Sequence, residues 1–508
     1  MTNGFQKSVS GDEFSGKGND GSSCVHGRIQ FCALQTLAKR RIVAVKRGLC
    51  TLVGFGVLMV TSSTLGQSPD AAALQSLKQE LETLRQRTAE LERKLEELSA
   101  ASTSAPPASV AVPAAPEKPA PSEALAAAWT PTQPISIARS GQDYLNLSFK
   151  MLSTAGWSTS TDDPPELELG HHDPQGRGFT IQSAELALDG AVDPYFRGFG
   201  NINLSLDPDG ETHVGLGEVY LLTTALPGNL QVKGGQFLAE FGRQNTQHAY
   251  QWDFVDQPIV LNRLLGPHSL RNPGARLSWL VPTPFFTELM LGVFNGQGNS
   301  AFSYRASSLN ATHGRTSLDR GLRDPGDLLY VPRLCSSFDL TENQTLVVGT
   351  SVALGPNNSG EDARSQVYGF DLFWKWKPST AEHGFPFVSW QTEALFRRYE
   401  AGADSDRGLP TETLRDWGFY SQVLWGFKRR WVAGLRGEWA DGNTGAYDSD
   451  DRFRGERLRI APNLTFYPTG FSKVRLQYNY DDGERFDIEH SVWLQFEFLL
   501  GTHGAHKF

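Results

Sequence analysis

Basic side chains recur at inward-compatible positions along much of this chain. Lys150, Arg197, Lys233, Arg276, Arg436, Arg457, Arg459, Lys473 and Arg475 each stand on the polar side of a stretch whose alternate residues are apolar. Cations fixed on the wall of a common interior would attract anions, because a low-dielectric wall focuses the field of whatever charge lines it. Acidic residues share those faces, among them Glu185, Asp189, Asp371, Glu438 and Glu497. The expected lining therefore carries mixed charge.

A second group of reactive side chains is clustered in one long connection, Glu240 to Asn272. It holds Arg243, His248, Trp252, Asp253, Asp256, Arg263, His268 and Arg271. A connection this long without repetitive composition is expected to be ordered and functional. The pattern predicts a constriction loop, with Arg243, His248, Asp253, Asp256, Arg263 and Arg271 as its working residues. Histidines also occur as His171-His172 beside Asp173, and as His503 and His506. Imidazole and carboxylate suit zinc and similar ions, but these two pairs fall at opposite ends of the strands described below, so no metal site and no cofactor is expected. The chain lacks Gly-x-Ser-x-Gly, His-Glu-x-x-His and a phosphate-cradling loop, and nothing pairs a nucleophile with a base. Enzyme activity is not expected.

The elements that must carry these residues are strands. Leu145, Leu147, Phe149 and Met151 alternate with Tyr144, Asn146, Ser148 and Lys150, and Val474, Leu476, Tyr478 and Tyr480 with Lys473, Arg475, Gln477 and Asn479. Val492, Leu494, Phe496, Phe498 and Leu500 oppose Ser491, Gln495 and Glu497. Period-two alternation places one face in an apolar medium and the other in a polar one. The connections alternate in length. Val192 to Pro194, Leu226 to Asn229, Thr341 to Asn343, Lys428 to Arg430 and Pro468 to Gly470 are short, whereas Ser153 to Gly178, Glu240 to Asn272, Asn295 to Leu329 and Asp441 to Phe453 are long. Short turns on one rim and long loops on the other mark an outer-membrane barrel with its turns in the periplasm. The reading is all-β: a transmembrane antiparallel β-barrel of about sixteen strands over residues 129–508, each near the length a tilted membrane strand needs. Trp425, Phe427 and Trp431 bracket the turn Lys428-Arg429-Arg430 as an interfacial girdle would. A soluble β-sandwich would seldom show such regular loop asymmetry.

The first 128 residues have a different composition. Lys39, Arg40, Arg41, Lys46 and Arg47 precede the apolar run Leu49 to Val60, and small residues follow to Gly66. That is the layout of an export signal, and residues 1–66 form the predicted leader. Leu74, Leu77, Leu81, Leu84, Thr88, Leu91, Leu95 and Leu98 then step by threes and fours. They predict a short α-helical coiled coil over 67–100, in the periplasm, that makes a homo-oligomer, here a homotrimer. Residues 101–128 are Ala/Pro-rich and read as an extended linker. A net charge of -9 argues against a nucleic-acid partner. Cys24, Cys32 and Cys50 fall within the leader, leaving Cys335, so no internal disulfide is expected.

Val232 to Phe241, which contains Gly-Gln-Phe, the strand start Asn272-Pro-Gly-Ala-Arg276 and Gly292-Val-Phe-Asn-Gly296 together resemble the phosphate-selective porin O and P family. That resemblance implies a trimeric sixteen-stranded barrel with inward-folded loops and inward basic residues. The expected function is an outer-membrane porin, a passive water-filled channel for small solutes or ions, anionic ones included, with outer-membrane lipid around it. The rival readings are a substrate-specific receptor for metal ions or chelates, and a structural anchor of the cell envelope.

Overall fold

The computed structural model describes residues 134–160, 170–174, 176–206, 210–305, 311–318, 320–447 and 454–501. The predicted leader, coiled coil and linker, together with His503, His506 and Phe508, lie outside the described residues.

One sheet of seventeen strands is formed, and sixteen of them close an antiparallel barrel. In chain order these are β1 (Asp143–Ser158), β2 (Gly178–Ala191), β3 (Phe196–Leu206), β4 (Thr212–Thr223), β5 (Leu230–Leu238), β6 (Arg271–Leu280), β7 (Phe286–Phe294) and β8 (Leu329–Thr341). They continue with β9 (Gln344–Pro356), β10 (Arg364–Trp376), β11 (Phe387–Ala401), β12 (Glu412–Lys428), β13 (Trp431–Gly442), β14 (Arg457–Thr469), β15 (Ser472–Gly483) and β16 (Phe486–Leu500). Each strand pairs with its sequence neighbours, and β16 returns to β1 from Ser491 opposite Ser158 to Leu500 opposite Phe149. Closure leaves no free sheet edge. The remaining strand, Ile135–Ser140, turns back on Asp143 to Leu147 and occupies the edge of β1 just beyond the end of β16.

Alternation sorts the side chains as the sequence predicts. Leu435 (54%), Leu476 (50%), Phe498 (46%) and Trp425 (56%) are exposed on the outer surface. Their neighbours Arg436, Arg475, Gln477 and Glu497 point inward and are buried. Turns join the strands on one rim and the long connections lie on the other, so the loop asymmetry holds. Several boundaries differ from expectation: Ser153 to Ser158 belong to β1 and Asp441 and Gly442 to β13, and Arg271 and Asn272 belong to β6 because they pair with Leu238 and Phe237 of β5.

The inside of the barrel toward the loop rim is a packed core. The connection between β5 and β6, residues 239–270, turns into the barrel and carries one short helix, α1 (Ile259–Leu265), all of whose residues are buried. Val260, Leu261, Leu264 and Leu265 pack with Phe237, Phe241, Phe294, Tyr304, Val331, Val367, Leu395, Tyr399 and Tyr420. No helix of the described residues is long and apolar enough to cross a membrane, which says nothing of strands.

Candidate functional site: the loop threaded through the barrel

The inner loop is held at its base, its middle and its helix by side chains from the wall. At the base, Asn245 Nδ2 donates to the carbonyls of Ala239 (2.9 Å) and Leu270 (3.2 Å), and its Oδ1 accepts from the Leu270 amide at 2.8 Å. Beyond Phe241 the chain passes Glu393 of β11, whose Oε1 accepts from the amides of Arg243 (3.1 Å) and Gln244 (2.7 Å) and from the Tyr420 hydroxyl (2.8 Å). Gly242 has φ +60°, and a Cβ there would lie 2.2 Å from Glu393 Oε2. Only glycine lets the backbone bend that closely over the carboxylate.

His248 is wedged between two carboxylates of the wall. Its Nδ1 lies 3.2 Å from Glu185 and its Nε2 2.9 Å from Glu218. Burial alone would lower its pKa, but Glu185 and Glu218 outweigh that and raise it from 6.5 to about 9. The imidazole is thus a cation at neutral pH. Next to it, Tyr250 stacks on the His248 ring, lies under Lys150 Nζ at 4.1 Å, and gives its carbonyl to Lys473 Nζ at 2.9 Å.

Asp253 and Asp256 fix the middle. Gln422 Nε2 donates to Asp253 Oδ2 at 3.0 Å, and Asn463 Nδ2 to the Asp253 carbonyl at 2.9 Å. Asp256 accepts from Arg436, from Arg459 at 2.6 Å, from Gln477 at 2.9 Å and from Asn479 at 3.1 Å. Desolvation would raise the Asp256 pKa; Arg436 and Arg459 override it and hold the carboxyl below its usual range. Helix α1 starts where Glu438 Oε2 accepts the Ile259 amide at 2.6 Å, so a wall carboxylate supplies the acceptor that Pro258, at the cap position, cannot. Arg263, in the last turn, meets Asp416 at 3.3 Å.

These anchors share a register. Asp371, Glu393, Tyr420, Glu438, Arg459 and Asp481 stand directly opposite one another from strand to strand across β10 to β15. Residues paired across strands on one face are in contact range, so the row forms a belt of four carboxylates, one tyrosine and one arginine, in which Glu393, Glu438 and Arg459 hold the loop.

The structure brings nearly all the sequence-predicted wall cations to the inner face, and pairs them. Lys150 meets Glu185, Arg276 meets Glu240 at 2.7 Å, Lys233 meets Glu240 at 3.6 Å, and Lys473 meets Glu497 at 2.5 Å. Arg457 and Arg459 share Asp481, at 2.8 and 3.0 Å, while Arg475 bonds Thr465 and Gln495. Arg197 reaches Asp189 at 3.2 Å with 48% of its side chain exposed. The mixed charge expected of the lining is largely drawn into ion pairs, so the net field of its cations is weaker than a count of lysines and arginines suggests.

Of the expected loop residues, His248, Asp253, Asp256 and Arg243 enter the interior, Arg263 sits in the helix, and Arg271 begins a strand. His171 and His172 gather with His268, with the His171 and His268 ring centroids 4.3 Å apart. His172 and His268 are both pushed to about 3, first by burial and next by the charge at His171. Among the described residues no group of three or more histidine, cysteine or carboxylate side chains is placed to hold a metal. Sequence reading missed Glu393, Asp416 and Arg397, whose Nη2 lies 2.6 Å from Asp416. Their alternation is broken, since Arg397 is followed by Arg398, Asp416 is preceded by Arg415, and Leu395, Tyr399 and Leu414 on the same inner face are apolar. It also missed the helix, although Ile259-Val-Leu-Asn-Arg-Leu-Leu265 is an apolar run inside a polar loop.

The chain belongs to the same family as an uncharacterized protein of Aquifex aeolicus (strain VF5), to which it is 31% identical over 355 residues, 65% of this chain and 70% of the relative. No family model matches it. Among solved structures it is similar to the outer membrane channel DcaP of Acinetobacter baumannii (12% identity, 70% of this chain and 97% of that one, TM-score 0.49). It is also similar to Pseudomonas putida OprB (13%, 70% and 94%, TM-score 0.42) and to OmpT of Vibrio cholerae (9%, 72% and 99%, TM-score 0.44).

Proposed function

We propose that the protein is an outer-membrane porin, a passive channel whose narrowest part is set by the loop at residues 239–270. The observation that carries this reading is the pairing of an apolar outer belt with a charged inner wall in one closed barrel, a combination stable only with lipid outside and polar contents inside. Loop contacts to Glu185, Glu218, Glu393, Arg436 and Arg459 support a constriction held at one position rather than a free flap. In this reading the turn rim faces the periplasm, where the predicted coiled coil would join copies into a trimer. The mixed charge of the wall supports selection by geometry and local contacts more than by bulk anion attraction, so the phosphate selectivity of the family it resembles is not part of the proposal.

Purified protein in planar bilayers tests it. Steady ohmic steps are the expected result, and a bilayer that stays silent across a range of voltages overturns the reading.

A further inference from the structure

Most inward charges are engaged in ion pairs, Arg197 with Asp189 and Lys233 with Glu240 among them, and two places on the wall, both toward the turn rim, set a cation beside an inward aromatic ring that keeps some exposure. On β3 and β4, Phe199 and Tyr220 have ring centroids 5.4 Å apart. Lys233, nearly buried, places Nζ 4.2 Å from the Tyr220 centroid and within reach of Glu240 at 3.6 Å and Glu218 at 4.0 Å. Arg197, the next inward position toward the turn, leaves 48% of its side chain exposed beside Asp189. On β10, the Arg243 guanidinium lies 3.9 Å from the Phe373 centroid, and Lys375, again the next inward position toward the turn, places Nζ 5.3 Å from Phe387. Phe199, Tyr220 and Phe373 are half-buried, while the adjacent inward residues on the loop side, Asn201 (2%) and Asp371 (1%), are closed off.

A small inorganic anion would use only the cations of such a place, and a neutral sugar chiefly the rings. A planar ring bearing a carboxylate uses both: its face stacks on phenylalanine or tyrosine while its charge meets a guanidinium or ammonium, and the two contacts reinforce each other where water is scarce. We propose that Arg197, Phe199, Tyr220 and Lys233, with Arg243, Phe373 and Lys375, form a binding lane for aromatic carboxylates. The inference rests on the channel reading and names its solute class.

The test uses the full chain in planar bilayers under bi-ionic conditions, with potassium benzoate and potassium acetate each set against potassium chloride. Benzoate should permeate more readily than the smaller acetate. Phe199→Leu and Phe373→Leu, which keep apolar bulk and lose the ring, should each lower the benzoate-to-acetate permeability ratio about threefold to tenfold. Phe370→Leu, on the outer face, should leave the ratio where it is. Should either leucine variant fail to assemble, Tyr220→Leu, which removes the ring beside Phe199, carries the same readout. Steady conductance with acetate ahead of benzoate, or variants with an unchanged ratio, overturns the lane while the channel stands. A silent bilayer overturns both.

Discussion

Asp256 and Arg459 meet at 2.6 Å inside the barrel although 203 residues separate them in the chain. The contact joins a mobile class of element, a loop, to a rigid one, a closed sheet. Both side chains are almost fully buried, so neither can trade its partner for water.

Removing one member of such a pair leaves an undercompensated charge, at a cost of about 3–5 kcal/mol when no other partner substitutes. Asp256→Asn should therefore loosen the inner loop without opening the barrel, because Glu438 and Asp481 still pair with Arg436 and Arg459. Limited proteolysis of the folded protein should cut within residues 239–270 faster than in the parent, with heat-modifiable migration of the barrel unchanged. Equal cutting rates would show that Asp256 does not hold the loop.

His248 gives the docking of the loop a pH dependence whose sign is set. Its pKa in the folded protein, about 9, lies above the free value of 6.5. The contribution is therefore complete below pH 6.5 and is lost as pH rises through 9. Conductance and current noise of the parent should change with a midpoint near pH 9, whereas His248→Gln should already show the alkaline behaviour at pH 7. A parent profile flat from pH 7 to 10 contradicts the clamp.

Cys335 lies on β8 between Arg333, whose guanidinium pairs with Asp371 at 2.6 Å, and the turn rim. Its thiol is half-buried and faces inward, the side opposite Leu334. In a chain with Cys24, Cys32 and Cys50 changed to serine, a small charged methanethiosulfonate should modify Cys335 and reduce conductance. A cysteine at Leu334, in a Cys335→Ser background, should resist the same reagent once the protein is in lipid. Reversed accessibility would invert the assignment of inside and outside.

The outer belt predicts the cost of a misplaced charge. Leu435 is exposed on β13 next to buried Arg436. Leu435→Arg should destabilise the barrel in phospholipid vesicles by about 2–4 kcal/mol if it sits near the bilayer midplane. Guanidinium titration followed by tryptophan fluorescence measures this. A shift below a few tenths of a kcal/mol would place Leu435 outside the hydrocarbon.

Strand-level order was legible in the chain itself. Period-two alternation is a local property, so the faces of Lys473, Arg475, Val492 and Phe496 followed from neighbours alone, and the turn-and-loop asymmetry followed from spacing. Around Glu393, Arg397 and Asp416 that signal is broken, because Arg398 and Arg415 put charge on the outer face and Leu395, Tyr399 and Leu414 put apolar side chains on the inner one. Local pattern also showed that cations and carboxylates share the inner faces. It could not show which charges neutralise which, because that depends on cross-strand register and on where a distant loop settles. His248 between Glu185 and Glu218, Asp256 between Arg436 and Arg459, and helix α1 in an apolar core inside the barrel are contacts between residues far apart in sequence. Only closure of the sheet gives them a common interior, and there the cost of burying an unpaired charge selects the partners.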